Sequence, residues 1–452
     1  MKERTFLVLL LVVSFFLQFY KIDSIVPFYR DQSFDAFIVR DFLIEGKIIF
    51  LGIRIQDWGA RSAPLFHYLL VPFFYIFNFH PASSAVFCSL TAFLSCFAVY
   101  FISKEIFDAG TARYSSVLYA VSPLRLFFTR LGWSPVLIFL FSVLLVHSFL
   151  KILKGRKSAS FFFPFLFLCS LQFHISIVLL APFFIIVFFQ KKPKIYLKMF
   201  FSGVACSVLL YAPYIYYELN NGFINTKIIL KEIFVRTGVT NLFFSLFMQF
   251  LFFISSSFIP VSISSLNLER LYFSIGAFQY IALAVFLFAF FHLKDNFLRM
   301  WFLIPSLCAF LYNITLFPHH LIVLFPPMFI IMGCFIKHAG KPGLLFFALL
   351  CAYLVYWDIY YFYRASNENM CTSLGIQEQA VSFIADELKL KEASLFYEYN
   401  NSFTCYSEKE SYEYLLWHHG VDVNPDSATK IYIREFVNTP GSKNFSYISI
   451  IY

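Results

Sequence analysis

The composition of this 452-residue chain excludes an ordinary soluble protein, because 60% of its residues are hydrophobic and only 13% are charged, against about 25% charged in soluble domains. We therefore expect an all-α polytopic membrane protein. The formal net charge of +9 comes from short basic clusters beside apolar runs, a pattern that encodes the orientation of membrane spans. Membrane lipid is accordingly an expected partner, and nucleic acid is not.

The amino end of the chain predicts a first span. Lys2 and Arg4 precede an apolar run at residues 5–20, and no small-x-small cleavage site follows, so we expect an uncleaved span with a cytoplasmic amino end. Residues 23–81 then form a first outer loop. Its apolar stretch 65–79 would reach about 22 Å as a helix, short of a hydrocarbon core of about 30 Å, which predicts an interfacial helix.

Charged residues are concentrated in one part of this outer loop, residues 28–64, while the rest of the membrane region is almost continuously apolar. We interpret this polar segment as the candidate functional loop. Its charged residues are Arg30, Asp31, Asp35, Arg40, Asp41, Glu45, Lys47, Arg54, Asp57 and Arg61.

Further spans alternate with basic clusters that are expected on the cytoplasmic side. Single spans after the outer loop are predicted at residues 82–103, 112–129, 136–150, 199–217, 271–291, 300–316, 321–336 and 343–362. The apolar stretch 242–260 holds consecutive serines and is expected not to cross fully. With the short pair described next, the count is about eleven spans and an outer carboxyl end. If 242–260 does cross, the count is about twelve and the tail is cytoplasmic.

The short pair lies between two basic clusters, at residues 151–157 and 191–198, that are both expected inside. Only 31 residues, 159–189, separate them, whereas two full spans need about 40. We predict two short helices whose turn, near Gln172 and His174, stops below the outer surface and lines a cavity.

From residue 365 onward the composition becomes that of a water-soluble segment. The chain is therefore expected to consist of a membrane domain, residues 1–364, and a small extracytoplasmic α+β domain, residues 365–452. In the second domain we predict a helix at 377–389 and strands at 393–397, 430–436 and 447–451.

Cysteines and nucleotide motifs exclude several classes of protein. Only Cys371 and Cys405 lie outside apolar stretches, and an extracytoplasmic disulfide between them is permitted but not required. No CxxC or Cys/His ligand spacing occurs, which argues against a structural zinc site. No P-loop or GxGxxG occurs, which argues against an ATP-driven pump and against a nucleotide-sugar enzyme with a Rossmann half.

Four stretches carry a resemblance to a known family. They are Asp31 with residues 62–70 (SAPLFHYLL), residues 130–135 (RLGWSP), residues 171–176 (LQFHIS) and residues 210–225 (LYAPYIYYELNNGFIN). In order and spacing they resemble the bacterial branch of the membrane glycosyltransferases with the GT-C fold (glycosyltransferase family 39). That branch is related to protein O-mannosyltransferases and to the lipid A aminoarabinose transferase. The resemblance covers about residues 1–350.

The chain departs from the family pattern at two points. Many relatives have an Asp-Glu pair where this chain has Asp31-Gln32, and a Lys-Pro-Pro-Leu-like run where it has Ser-Ala-Pro-Leu at 62–65. The missing glutamate leaves the role of a divalent cation open. Asp35, one helical turn after Asp31, could substitute.

The resemblance implies transfer of a sugar from a polyprenyl-phosphate donor to an extracytoplasmic acceptor, which is a glycolipid, an envelope polysaccharide or a protein. It also implies inverting transfer and a multi-pass location in the bacterial cytoplasmic (inner) membrane. Such a reaction needs an apolar groove that ends in cations, and a carboxylate that takes the acceptor proton as the anomeric carbon becomes oxocarbenium-like. The outer loop offers both carboxylates and arginines.

Each candidate in the outer loop and beside it has an alternative role. Asp31 is the candidate general base, or else a salt-bridged anchor of the loop. Asp35 is the candidate second acidic group or metal ligand, or else a helix cap. Arg61 and Arg130 are candidates for the donor phosphate, but outer arginines also bind lipid headgroups.

Polar residues at membrane depth are the second group of candidates, because they are costly there and usually face a cavity. Gln172 and His174 are candidates for the donor head group, with a helix-to-helix hydrogen bond as the alternative. One of His319 and His320 is expected near the phosphate, unless the two form an interfacial pair.

The loop after residue 217 supplies the last candidates. Glu218 and Asn221 begin a polar loop that would close over the substrate. Alternatively, they only cap the preceding span.

Two other classes of function remain open at this point. A lipid-sugar flippase or other transporter would place acidic residues in mid-span, often in two repeated halves, whereas no Asp or Glu occurs inside a predicted span before Asp358. A non-catalytic envelope assembly protein would not need a carboxylate-rich loop matched by a polar helical turn.

Overall fold

The computed structural model describes residues 2–55, 59–235, 243–258, 277–311, 318–367, 373–399, 409–435, 443–445 and 448–452. Nearly all the elements before residue 368 are helices, and the elements after residue 372 combine helices with a sheet. Cys371 and Cys405, whose pairing the sequence leaves open, lie outside the described residues.

The helices follow one another with short connections. Those before residue 236 are α1 (Glu3–Phe19), α2 (Arg30–Glu45), α3 (Leu65–Ile76), α4 (Ser83–Ile106), α5 (Ala109–Ala120), α6 (Pro123–Thr129), α7 (Ile138–Leu153), α8 (Ala159–Phe173), α9 (Ala181–Lys191), α10 (Leu197–Leu210), α11 (Ala212–Asn220) and α12 (Ile224–Val235). The later helices are α13 (Phe243–Phe258), α14 (Ala277–His292), α15 (Asn296–Leu311), α16 (Phe325–His338), α17 (Gly340–Asn367), α18 (Leu374–Ser382) and α19 (Lys409–His418).

Within the described part of the chain, four helical stretches are long and apolar enough to cross a membrane. They are Ser83–Ile106, Ser134–Leu153, His319–His338 and Gly340–Tyr360. The pair α10 and α11, bent by 60°, would be a fifth if it is one span, and five further apolar helices are shorter. The structure confirms the helical membrane body. The predicted count of about eleven spans is not confirmed.

Several predicted spans are broken helices. Residues 112–129 divide into α5 and α6. The region 159–189 divides at His174, where an extended backbone separates α8 from a 3₁₀ turn, Ile175–Leu180, and α9. The expectation of two short helices with a break at this position is confirmed.

The core of the membrane body depends on close approach between helices. A Cβ atom on Gly333 of α16 would lie 2.1 Å from Oγ of Ser115 on α5 and 2.7 Å from its backbone nitrogen. Small residues permit such contacts between helices in membranes, where dispersion forces replace the hydrophobic effect. Along α1, by contrast, the exposed side chains are apolar, including Val8, Val12 and Phe16, as is expected of a lipid-facing surface.

The tail contains a sheet of five strands in the order β4-β3-β5-β7-β6. The strands are β3 (Glu392–Tyr399), β4 (Asp422–Val423), β5 (Lys430–Glu435), β6 (Lys443–Phe445) and β7 (Ile448–Ile451), while β1 (Arg54–Ile55) and β2 (Ala60–Arg61) form a hairpin in the outer loop. β3 is parallel to β4 and β5, and β7 is antiparallel to β5 and β6. The predicted helix and all three predicted strands of the tail are present.

The tail is attached to the segment that precedes α2. The backbone nitrogens of Leu374 and Gly375 donate to the carbonyls of Val26 and Ser24, both at 2.8 Å. The Gln377 side chain donates to the Phe28 carbonyl at 3.2 Å. These bonds fix the polypeptide a few residues before Asp31.

Tyr414 of α19 is the main anchor on the other side of α2. Its ring is fully buried between Phe28 and Phe37, at centroid distances of 5.6 and 5.2 Å. Its hydroxyl donates to the Phe79 carbonyl at 2.9 Å. The tail therefore contacts both ends of the outer loop.

Replacement of Tyr414 tests this attachment. Tyr414→Ala should lower the free energy of unfolding by about 3–5 kcal/mol, because it removes a buried aromatic ring. Tyr414→Phe should cost about 1 kcal/mol, because it removes one hydrogen bond. Thermal unfolding of the detergent-purified protein measures both, with Tyr452→Ala, at an exposed position, as a control within about 0.5 kcal/mol of the parent. Equal melting temperatures for Tyr414→Ala and the control would contradict the assignment.

Candidate active site

The start of α2 is held in place by Gln32, which is buried. Its side-chain oxygen accepts from the Tyr29 backbone nitrogen at 3.0 Å, and its Nε2 donates to the Leu131 carbonyl at 2.6 Å. The first bond caps the helix as in a capping box. The second attaches it to residues 130–135.

Asp31, the residue before Gln32, remains accessible. Its side chain is exposed to solvent, and it makes no hydrogen bond or ion pair within the described ranges. The surrounding protein removes hydration and raises the pKa of Asp31 above its ordinary value, and the Asp35 carboxylate raises this pKa further. An accessible carboxylate whose pKa is raised by surrounding protein has the properties of a group in a concave surface.

Asp35 lies one turn further along α2 and is buried. Its Oδ1 is 2.7 Å from Nε2 of His67 on α3, whose side chain is also fully buried. Burial raises the pKa of Asp35, and the neighbouring His67 offsets part of this rise. The pair connects α2 to α3. It engages Oδ1 of Asp35, and a metal role for Asp35 remains a prediction.

Two arginines of the β1–β2 hairpin lie beside this helix. Arg54 and Arg61 are directly opposite each other in the register, and their guanidinium carbons lie 5.0 and 4.5 Å from the centroid of the Phe34 ring. Within the described part of the chain neither guanidinium makes a hydrogen bond or an ion pair, while at longer range Arg54 interacts with the Asp31 carboxylate and Arg61 with the Asp35 carboxylate. Like charges directly opposite each other are destabilising, so this arrangement favours an anion between or above the two arginines.

Arg54 was not among the residues predicted for the site. Strands of two residues carry no periodic pattern, and the hairpin was therefore not anticipated. The available signal was a pair of arginines, Arg54 and Arg61, on either side of Gly59.

Arg130 has a different environment from the one predicted. Its guanidinium is buried, donates to the carbonyls of Leu17 and Tyr20 at 3.2 and 2.5 Å, and lies 4.9 Å from the Phe362 ring. These carbonyls are at the carboxyl end of α1, where cations are stabilising. The structure therefore places Arg130 between helices, in contact with backbone carbonyls, and its contact with a donor phosphate remains a prediction.

The polar turn at Gln172 is directly below the outer loop. Gln172 accepts from the Leu65 backbone nitrogen at 3.3 Å, and Ser134 donates to the Phe173 carbonyl at 2.9 Å. The Nε2 group of Gln172 is buried and has no hydrogen-bond partner within the described ranges. The stretches that begin at residues 62, 130 and 171 thus meet at one point.

His174, His319 and His320 also meet. Their ring centroids are 5.3 Å apart for His174–His319 and His174–His320, and 4.4 Å apart for His319–His320. Trp133 packs edge-on against His319 at 4.9 Å. The two histidine stretches were predicted independently, and the structure brings them together. Their contact with a donor head group remains a prediction.

Glu218 and Asn221 are engaged in local bonds. The two oxygens of Glu218 accept four hydrogen bonds from Asn225 and Thr226, at 2.6–3.1 Å, at the start of α12. Asn221 donates to the Tyr217 carbonyl at 2.8 Å. Glu218 therefore caps the start of the following helix, α12, and not the preceding span, whereas Asn221 bonds back to the preceding helix. Asn225 in turn accepts from the Arg61 backbone nitrogen at 3.0 Å, which ties this loop to the hairpin.

The chain is similar in structure to ArnT from Cupriavidus metallidurans. The ArnT structure bound to undecaprenyl phosphate matches with a TM-score of 0.64 and 11% identity over 99% of this chain and 98% of that one. The apo structure matches with a TM-score of 0.62 and 10% identity over 99% and 97%. This chain has the GT-C fold.

A structure of a second protein supports the same fold. The Archaeoglobus fulgidus oligosaccharyltransferase in complex with zinc and sulfate matches with a TM-score of 0.52 and 12% identity, over 95% of this chain and 68% of that one. No protein-family model and no curated protein matches the chain. At these identities the likeness shows the GT-C fold alone, and the function has to be argued from the residues.

The pH dependence of stability tests the environment of Asp35. Because its pKa is raised in the folded protein, the stability that Asp35 contributes is complete below its unfolded pKa of about 3.9 and is lost as the pH rises through the folded value. Asp35→Asn cannot ionise. The free energy of unfolding of Asp35→Asn, relative to that of the parent, should therefore increase between about pH 4 and about pH 7, by up to about 1.4 kcal/mol per pH unit. The difference in melting temperature should increase with it.

The control for this measurement is Asp23→Asn, at an exposed position of the same loop. Its difference from the parent should stay constant with pH. A constant difference for Asp35→Asn as well would show that the carboxylate is not desolvated in the folded state.

Proposed function

We propose that this chain transfers a sugar from a polyprenyl-phosphate-linked donor to an extracytoplasmic acceptor at the bacterial inner membrane, with inversion at the anomeric carbon. The observation that carries the proposal is the carboxylate of Asp31 beside the guanidiniums of Arg54 and Arg61, none of which makes a hydrogen bond or ion pair among the described residues. Sugar transfer from a lipid phosphate needs these groups together: a base for the acceptor and cations for the phosphate.

The surroundings of the site support a lipid-linked donor. The outer loop lies on a helical body whose described helices are apolar, and ArnT, which has the same fold, has been crystallised with undecaprenyl phosphate. A polyprenyl chain would lie against the membrane helices, with its phosphate at the hairpin arginines. Gln172, whose Nε2 group is buried and unpartnered in the described ranges, offers a further donor below the loop.

In the proposed reaction the acceptor hydroxyl attacks the anomeric carbon from the face opposite the phosphate. Asp31 takes the hydroxyl proton as the new carbon–oxygen bond forms. The bond between the anomeric carbon and the phosphate oxygen breaks, and the polyprenyl phosphate leaves with that electron pair. Arg54 and Arg61 stabilise the charge that develops on the leaving phosphate.

The two predicted domains have distinct parts in this proposal. Residues 1–364 hold the donor and carry the catalytic outer loop at 23–81. Residues 365–452 hold the loop in position on the extracytoplasmic side, through the bonds to residues 24–28 and the contacts of Tyr414.

Asp31→Asn tests the base. Transfer should fall by about 10² to 10⁴-fold, the usual contribution of a positioned general base, while the folded protein and its binding of undecaprenyl phosphate are retained. The assay uses the purified protein in vesicles with a panel of polyprenyl-phosphate sugars, and it follows both the labelled acceptor and the released polyprenyl phosphate.

Asp23→Asn is the matched control and should transfer at the parental rate. If Asp31→Asn also transfers at the parental rate, Asp31 is not the base. If the parent moves donor lipid across the vesicle membrane without forming a new glycosidic bond, the chain is a flippase and the proposal is wrong.

The arginines are tested by binding. Arg54→Gln and Arg61→Gln should each weaken the binding of undecaprenyl phosphate by about 10 to 100-fold, because each removes a charge-assisted hydrogen bond worth about 1.5–3 kcal/mol. Native mass spectrometry measures the bound lipid. Lys47→Gln is the control, since Lys47 is an exposed cation of the same loop that already pairs with Asp41 and Glu45. Unchanged lipid occupancy in both arginine variants would exclude the hairpin as the phosphate site.

A further inference from the structure

The cluster of His174, His319 and His320 is a separate feature with its own chemistry. One ring nitrogen from each histidine lies within 4.8 Å of those of the other two. In a tetrahedral zinc site, with metal–nitrogen distances of about 2.0–2.1 Å, ligand nitrogens are about 3.4 Å apart. Small side-chain rotations would therefore bring the three nitrogens to coordinating distance.

The His174 ring is held by a neighbouring residue, Ser176. Nδ1 of His174 accepts a hydrogen bond from the Ser176 backbone nitrogen at 3.2 Å and is 2.8 Å from Oγ of Ser176. With Nδ1 in contact with Ser176, Nε2 of His174 is the atom left for a ligand. Coordination through Nε2 requires the proton on Nδ1, where the Ser176 hydroxyl can accept it, as is usual for metal-binding histidines. The hydrogen bond from the Ser176 backbone nitrogen is then given up.

A metal ion suits this cluster better than an anion does. His320 is 7% exposed and the other two are partly buried. Three positive charges at this spacing would repel one another strongly, so neutral rings are expected, and neutral imidazole is the form that binds Zn²⁺, Cu²⁺, Ni²⁺ or Fe²⁺. Three protein ligands leave the fourth position of a tetrahedral ion open.

We propose that His174, His319 and His320 bind one divalent transition-metal ion, with Zn²⁺ as the best match to three imidazoles and an open fourth position. No sequence motif indicates this site, because the only local signal is the adjacent pair His319-His320, while His174 lies 145 positions earlier. The inference does not rest on the proposed transfer reaction, since metal binding is measured without any donor or acceptor.

The test is metal uptake by the detergent-purified full chain. After treatment with a chelator and its removal, the protein is titrated with Co²⁺ and then with Zn²⁺. We expect one Co²⁺ per chain, with visible absorption bands of a tetrahedral site, displaced by one Zn²⁺ as measured by elemental analysis. Uptake well below one ion per chain at micromolar metal would overturn the proposal without reference to any variant.

Variants separate this site from adventitious binding. His174→Ala and His320→Ala should each lower Co²⁺ affinity by at least about tenfold and change the spectrum, and the conservative His174→Gln should do the same if an alanine variant fails to fold. His292→Ala is the control, because His292 is exposed on α14 and outside the cluster. Equal stoichiometry and spectra in folded cluster variants and the control would mean adventitious binding only, and the site would be rejected.

Discussion

The side chain of Gln32 connects the outer loop to the membrane body, and the geometry of the site depends on it. Its amide group accepts from the Tyr29 backbone and donates to the Leu131 carbonyl. These two bonds fix the first turn of α2 relative to the segment 130–135. That segment is joined through Ser134 to the end of α8, where the polar turn begins. Because Gln32 is buried, leaving either half of its amide unpaired would carry a desolvation cost of about 1–3 kcal/mol.

The charged groups around this point divide into two sets. The first set is buried and paired, as buried polar groups in stable proteins are. Arg130 donates to backbone carbonyls, Asp35 contacts the His67 imidazole, and Glu218 accepts from helix amides. Asp31, Arg54 and Arg61 remain unpaired within the described residues. Arg54 and Arg61 are like charges directly opposite each other in the hairpin, and their repulsion costs stability. Proteins keep such costs mainly where function requires the groups to be available.

The tail contributes to the site from outside. Its described residues supply no carboxylate or arginine to the group around Phe34, yet its backbone pairs with residues 24–26 and α19 packs on α2. A helix of sixteen residues is only marginally stable on its own in water. Because α2 packs against the tail on one side and against α3 on the other, it has the fixed position that a base needs. Misplacement of a reacting group by about 1 Å costs about 10²-fold in rate.

Local patterns in the sequence were sufficient for the class of protein and for several elements. Composition determined the helical membrane body, the 31-residue interval between basic clusters predicted the break at His174, and alternation predicted three strands of the tail. Each of these depends on residues close together in the chain. Only the tertiary structure decided which charged groups are satisfied: it paired Arg130 with Leu17 and Tyr20, left Arg54 beside Arg61, and joined His174 to His319 and His320. The physical reason is that the partner of a polar group is set by contacts between distant segments, which spacing along the chain does not encode.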